Sequence, residues 1–185
     1  MEKTAPPNLV DHVSFVDPVL LMAASPRPIY FVMDHRIFKT PVLGWFFRLV
    51  KAIPIAPRAE DPIMYEAAFE AAAKVLRDGD ILAIFPEGGI TKDGELQVFK
   101  GGIMKILENA KRDGVDAPVI PMALTHLWGS FFSRIERGGA MVRPFRRGVF
   151  SRVGLNVGMP VAARNVTPDL LHNKVLNLLT STESI

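Results

Sequence analysis

A chain of 185 residues, 49% apolar and 22% charged, is sized and composed for a single domain, 1–185, with a substantial core, and not for a disordered segment. The absence of cysteine excludes disulfides, thiolate nucleophiles and cysteine-ligated metals. A formal charge of +3 suits an anionic partner such as a phosphate, a lipid headgroup or a nucleic acid.

In chain order, "MEKTAPPNLV" lacks the apolar region of a signal peptide. No later run approaches the roughly 18 unbroken apolar residues of a spanning helix. The domain is therefore expected to be soluble or to lie on a membrane. Asp17-Pro18 opens a predicted helix near 18–24, because a capping side chain followed by proline suits a helix start. "PIYFVM" (28–33) reads as a buried strand. Thr40-Pro41 opens a helix over 41–50, and "IPIA" (53–56) reads as a second strand. Asp61-Pro62 opens a helix over 62–77, followed by the strand "ILAIF" (81–85). After Gly101-Gly102, apolar residues at 103, 106, 107 and 110 have helical spacing. Strands follow at "VIPMAL" (119–124) and "VGLNVG" (153–158), and Thr167-Pro168 opens a last helix to 180. Helices alternating with unbroken apolar strands predict an α/β sandwich of a largely parallel mixed β-sheet with flanking helices. In such sheets ligands sit beyond the carboxyl ends of the strands.

Three constellations fall where chemistry is expected. His12 precedes Asp17 on the turn into the first helix. The pair reads either as a plain helix cap near a surface histidine or as an imidazole braced by a carboxylate. In the second case the free ring nitrogen, with an ordinary pKa of about 6.5, is a base near neutrality. At 81–91, "ILAIFPEGGIT" carries Glu87 straight from a buried strand into Gly88-Gly89, a turn that lets a ligand approach the backbone. The bland alternative is a solvated glutamate in an ordinary turn. At 99–103, "FKGGI" sets Lys100 before a glycine-led helix start, whose free N–H groups favour anions. A solvated lysine is the equal alternative there.

Aromatic and basic residues interleave in "GWFFRLVKAIPIAPR" (44–58) and again over 127–147, a mixture that suits a membrane interface and also single-stranded nucleic acid, with an interfacial or anion-facing role expected for the arginines and core for at least half of the aromatics. His35, His126 and His172 stand alone and read as structural residues, so no metal site is expected.

Taken in order, these pieces resemble the glycerolipid (lysophosphatidic acid-type) acyltransferase family. His12 and Asp17 match its H-x-x-x-x-D block. The stretch from Gly44 to Arg58 matches a glycine–aromatic block ending in arginine. Phe85 to Gly88 match F-P-E-G, Phe99 to Gly102 match F-K-x-G, and "APVIPMAL" matches a proline-containing apolar strand. The likeness covers roughly residues 8–160 and is nearest to bacterial acyltransferase domains fused to a major-facilitator transporter. The chain departs from the pattern at Asp11, where asparagine is usual, and at Gly89-Ile90, where threonine–arginine is usual. It also lacks the usual amino-terminal apolar helices.

The resemblance implies transfer of a fatty acyl group from acyl-CoA or acyl-carrier protein to a hydroxyl of a lysophospholipid. The acceptor would be of the lysophosphatidate or lysophosphatidylethanolamine type, and no cofactor takes part beyond the thioester co-substrate. His12 would be the base and Asp17 its brace. Glu87 and Gly88 would position the acceptor, while Arg58 and Lys100 would hold its phosphate. The expected setting is the cytoplasmic face of a bacterial inner membrane, peripheral or tethered to a transporter domain, with no nucleic acid. The alternatives are a non-catalytic lipid- or anion-binding module and a thioesterase.

Overall fold

The computed structural model describes residues 17–39, 41–88, 96–125 and 154–180, with the backbone alone at Asp17 and at 41–43. The apolar runs without polar alternation form its centre. β1 (Ile29–Asp34), β2 (Ile53–Ile55) and β3 (Ile81–Ala83) make a parallel sheet in the order β2-β1-β3. Val32 lies opposite Ile53, and Ile29 opposite Ile81.

A parallel sheet must be covered on both faces, and the alternation of side chains shows how. Phe31 and Met33 point with Ala83 and Phe85 toward α1 (Asp17–Ala24) and α2 (Pro41–Leu49), where they meet Leu21 and Phe47. Tyr30, Val32, Leu82 and Ile84 point the other way. They pack on Ala68, Phe69 and Ala72 of α3 (Pro62–Arg77) and on Ile106 of α4 (Gly102–Arg112). The connection β1–α2–β2 runs to one side of β1, and β2–α3–β3 returns to the other. Right-handed crossovers then put α2 and α3 on opposite faces, as found. The chain thus leaves the carboxyl ends of neighbouring β1 and β3 toward opposite faces, which opens a crevice between them.

The helices begin where the capping pairs predict. The Asp61 carboxylate accepts the Met64 N–H at 2.8 Å, with Pro62 at the first helical position of α3. Thr167 Oγ1 accepts the Leu170 N–H at 3.1 Å and so starts α5 (Pro168–Thr180). α1 and α2 begin at the two remaining pairs. A 3₁₀ turn, His35–Lys39, leads from β1 toward α2. Gly44 presses α2 onto this turn: a Cβ there would stand 2.4 Å from the Phe38 carbonyl oxygen.

The predicted strand at 119–124 is shorter than expected. Val119 makes only an isolated bridge to Val161, and Pro121 has no N–H for a ladder, so β4 runs Met122–Thr125. β4 pairs antiparallel with β5 (Gly154–Val157), Met122 facing Val157. Leu179 of α5 packs on Ala123 and Leu124, and Asn156 Nδ2 donates to the Leu178 carbonyl at 2.7 Å. Phe99, Ile103 and Leu107 join Val161, Val166 and Leu171 in a cluster that anchors α4 to the carboxyl-terminal segment. Among the described residues, no helix is long and apolar enough to cross a membrane.

Candidate active site

The segment after β3 crosses the mouth of the crevice between β1 and β3. Phe85 stacks on Phe31 of β1, ring centroids 6.2 Å apart and planes 15° from parallel. That contact fixes the strand end against the sheet. Pro86 then turns the chain, and the Gly88 N–H closes the corner on the Phe85 carbonyl at 3.2 Å. Gly88 sits at φ +66°, a left-handed conformation that a side chain resists, so glycine is required there. The turn buries Glu87 to 1% exposure. A carboxyl group almost never enters a protein interior for packing alone, and such burial at a strand end makes this corner the candidate site.

The F-K-G-G segment docks on this same corner. The Lys100 N–H donates to the Pro86 carbonyl at 2.8 Å, while Phe99 anchors in the core against the ring of His172. Lys100 therefore extends over Gly88: a Cβ at Gly88 would lie 2.8 Å from Lys100 Nζ and 3.2 Å from its Cδ. The missing side chain of Gly88 is what admits the ammonium group. Lys100 leads into α4 through Gly101, the N-cap residue, which supplies no side-chain cap. The charge of Lys100 and the amino end of α4 thus favour an anion at the same place.

Arg58 lies past the carboxyl end of β2 and is exposed. Its charge acts on Glu66 in the first turns of α3. The hydrogen bond from Lys105, and then the charges of Lys105 and Arg58, hold the Glu66 carboxyl below the ordinary glutamate range. Lys105 also lies 4.9 Å from the ring centroids of both Tyr65 and Phe69. Glu66 and Lys105 so tie α3 to α4 on the flank where Arg58 and Lys100 emerge.

Past β1, a second ionic group rims the same end of the sheet. His35 Nε2 lies 3.0 Å from Glu60 Oε1, and Arg36 donates to Glu60 Oε2 at 2.6 Å. The Arg36 hydrogen bond is the main reason the Glu60 carboxyl sits below its usual range. His35, which stands alone in the sequence, is thus paired with Glu60 in the fold. Among the described residues, no group of three or more histidine, aspartate or glutamate side chains is arranged to hold a metal ion.

The corner unites Glu87, Gly88 and Lys100, and Arg58 stands at the same end of the sheet. His12 lies outside the described residues, as do the Asp17 side chain and residues 89–95 and 126–153. The Asp17 backbone begins α1. That helix packs beside β1 and runs opposite to it, with Leu21 against Phe31 and Met33, so its amino end faces the carboxyl end of the sheet. Two features had no signal in the sequence: the approach of Lys100 to Gly88, and the Glu66–Lys105 tie. Both join residues through tertiary packing rather than through spacing.

A family model described as Acyltransferase matches residues 9–125. A chloroplastic 1-acyl-sn-glycerol-3-phosphate acyltransferase from Brassica napus is 31% identical over 114 residues, covering 62% of this chain and 31% of the relative. One from Cocos nucifera is 30% identical, covering 74% of this chain and 44% of its own length. One from Bacillus subtilis is 26% identical, covering 60% and 51%. The chain spans about a third to a half of the length of these curated relatives. The crystal structure of the 1-acyl-sn-glycerophosphate (LPA) acyltransferase PlsC from Thermotoga maritima superposes with a TM-score of 0.61. It covers 98% of this chain and 69% of its own, at 20% identity, a likeness of fold.

Proposed function

Since this chain belongs to the Acyltransferase family, we propose that it moves a fatty acyl group from a thioester to the free hydroxyl of a lysophospholipid. The observation that carries this reading is the corner itself, where a carboxyl group buried to 1% exposure lies next to a glycine crossed by the Lys100 ammonium. Such a corner suits an acceptor with a hydroxyl and a phosphate a few bonds apart.

In the proposed reaction the acceptor hydroxyl attacks the thioester carbonyl carbon, and one His12 ring nitrogen takes the hydroxyl proton. Asp17 holds the other ring nitrogen and stabilises the imidazolium. General-base help of this kind contributes about 10²–10⁴ in rate. The tetrahedral oxyanion accepts hydrogen bonds from backbone N–H groups near Gly88 other than the Gly88 N–H that closes the corner. Its collapse re-forms the carbonyl and expels the thiolate, which takes the proton back from His12. The products are the diacyl lipid and the free thiol of CoA or acyl-carrier protein. Glu87 orients the acceptor, and Lys100 and Arg58 bind its phosphate. No covalent enzyme intermediate forms, and no metal or cofactor enters.

The names of the relatives favour 1-acylglycerol 3-phosphate as acceptor over lysophosphatidylethanolamine. Work at the cytoplasmic face of a bacterial inner membrane, with a covalently attached transporter domain, belongs to the same proposal. The test incubates labelled acyl-CoA or acyl-carrier protein with the chain and lysophosphatidate, lysophosphatidylethanolamine or no acceptor. Diacyl product with lysophosphatidate is expected, and Lys100→Met and Arg58→Met should each raise the KM for that acceptor more than they lower kcat. Free fatty acid alone would establish a thioesterase, and no turnover of either kind would leave a lipid-binding module.

A further inference from the structure

The two helical faces of the sheet treat their charges differently. On the α3–α4 side three cations are paired with carboxylates, Lys74 with Asp78, Arg77 with Glu70 and Asp113, Lys105 with Glu66, while Lys111 and Arg112 at the end of α4 have no carboxylate partner among the described residues. On the α2 side the sequence from Arg36 to Ala59 holds five cations and no carboxylate, a local charge of +5 in a chain whose total is +3. Arg36 is paired with Glu60, and Arg58 lies at the candidate site. Lys39, Arg48 and Lys51 are exposed and have no carboxylate partner among the described residues.

Other large apolar side chains, such as Ile63, Val98 and Met159, are exposed elsewhere on the described surface, but Trp45 and Leu49 stand among these three cations. The approach of Gly44 to the Phe38 carbonyl sets the rotation of α2, which turns Phe47 inward to 0% exposure. Trp45 and Leu49, one helical turn apart, face outward at 64% exposure each, with Arg48 between them on the same stripe. Arg48 donates to the Phe38 carbonyl at 2.8 Å. Val19 of α1, in the same layer, is also exposed. A tryptophan and a leucine standing in water cost solvation free energy that a partner surface relieves. The positive charge around them selects an anionic partner, and tryptophan with flanking lysine and arginine is the pattern of a bilayer interface.

We propose that the outer face of α2 is a docking surface for an anionic lipid bilayer, with Trp45 and Leu49 inserted among the headgroups and Lys39, Arg48 and Lys51 on their phosphates. This goes beyond the catalytic reading and stands without it, since vesicle binding needs no turnover.

The chain has no cysteine, so a Leu49→Cys variant carries a polarity-sensitive fluorophore at one site. Ile63→Cys, exposed on α3 across the sheet, is the control. With vesicles of phosphatidylglycerol and phosphatidylcholine, the probe at 49 shifts to the blue and the probe at 63 stays in water. In sedimentation, Lys39→Gln with Lys51→Asn weakens binding to these vesicles by about fivefold per cation removed and leaves binding to pure phosphatidylcholine unchanged. Asparagine suits position 51, where φ is +55°. Trp45→Ser weakens binding to both vesicle types by roughly tenfold or more. Circular dichroism of each variant controls for folding. The proposal is overturned by a shift at 63 as large as at 49, by no shift at either, or by charge variants that bind anionic vesicles as wild type does. A shift with single-stranded oligonucleotide but not with vesicles overturns it in favour of a nucleic-acid face.

Discussion

Replacing Gly88 with alanine separates backbone strain from chemistry at the candidate site. Among the described residues, three glycines lie in the left-handed region: Gly79 at φ +79°, Gly88 at +66° and Gly114 at +82°. A Cβ at Gly79 or Gly114 meets nothing within 4 Å, so alanine there costs only the conformational term, about 1–2 kcal/mol. In a chain of this size that lowers Tm by roughly 2–8 °C. At Gly88 the same term applies, and the new methyl also meets Lys100 Nζ at 2.8 Å. The lysine is flexible at that end and swings aside at little cost in stability. Its charge, however, leaves the place it holds over the corner. The three alanine variants should therefore melt within a few degrees of one another. Acyl transfer should fall only in Gly88→Ala, by about 10-fold or more if the displaced charge costs the 1.5–3 kcal/mol of a charged hydrogen bond. Calorimetry and the labelled acyl-CoA assay measure the two quantities. Wild-type turnover in Gly88→Ala, or equal activity loss in all three, would refute the assignment of Lys100 to the site.

Gly44→Ala should be worse for folding, because its methyl would stand 2.4 Å from a backbone carbonyl oxygen that cannot rotate away. A loss of about 1–3 kcal/mol or more is expected in urea unfolding, with weaker vesicle binding as α2 turns. Asp61→Ala removes the cap on the Met64 N–H and should cost about 1 kcal/mol, while Asp61→Asn retains most of it. Glu60 and Glu66 have carboxyl groups held below their ordinary range by Arg36 and by Lys105. Their contribution to stability is complete above the unfolded value of about 4.3 and lost as pH falls through the lower folded values. Glu60→Gln with Glu66→Gln should flatten the acid limb of the stability curve below about pH 4.3 and leave its alkaline limb unchanged.

The parts of this fold that sequence reveals are those decided locally. A capping residue with a proline behind it fixes a helix start whatever the rest of the chain does, and Asp61-Pro62 and Thr167-Pro168 behave so. The unbroken apolar runs became the strands of a parallel sheet because both of its faces are buried. The strand at 119–124 was overextended because apolar content alone ignores the N–H that Pro121 lacks. At the site, glycine after a buried strand pointed to Glu87 and Gly88. That Lys100 lies across Gly88 depends on how Phe99 is anchored under α4, which no spacing encodes. Likewise, "GWFF" offers three neighbouring aromatics with no periodicity to choose among them. The rotation that exposes Trp45 and buries Phe47 is set by Gly44 against Phe38, a contact between two elements. His35 finds its partner in Glu60, from the turn after β2, by the same kind of long-range meeting.

The central claim is that the His12 imidazole takes the proton of a lipid hydroxyl, and the rate of diacyl product formation by His12→Ala tests it most directly. Measured with labelled acyl-CoA and lysophosphatidate, and with circular dichroism matching wild type, that rate should drop by about 10²–10⁴. A His12→Ala protein that makes diacyl lipid as fast as the parent would contradict the account.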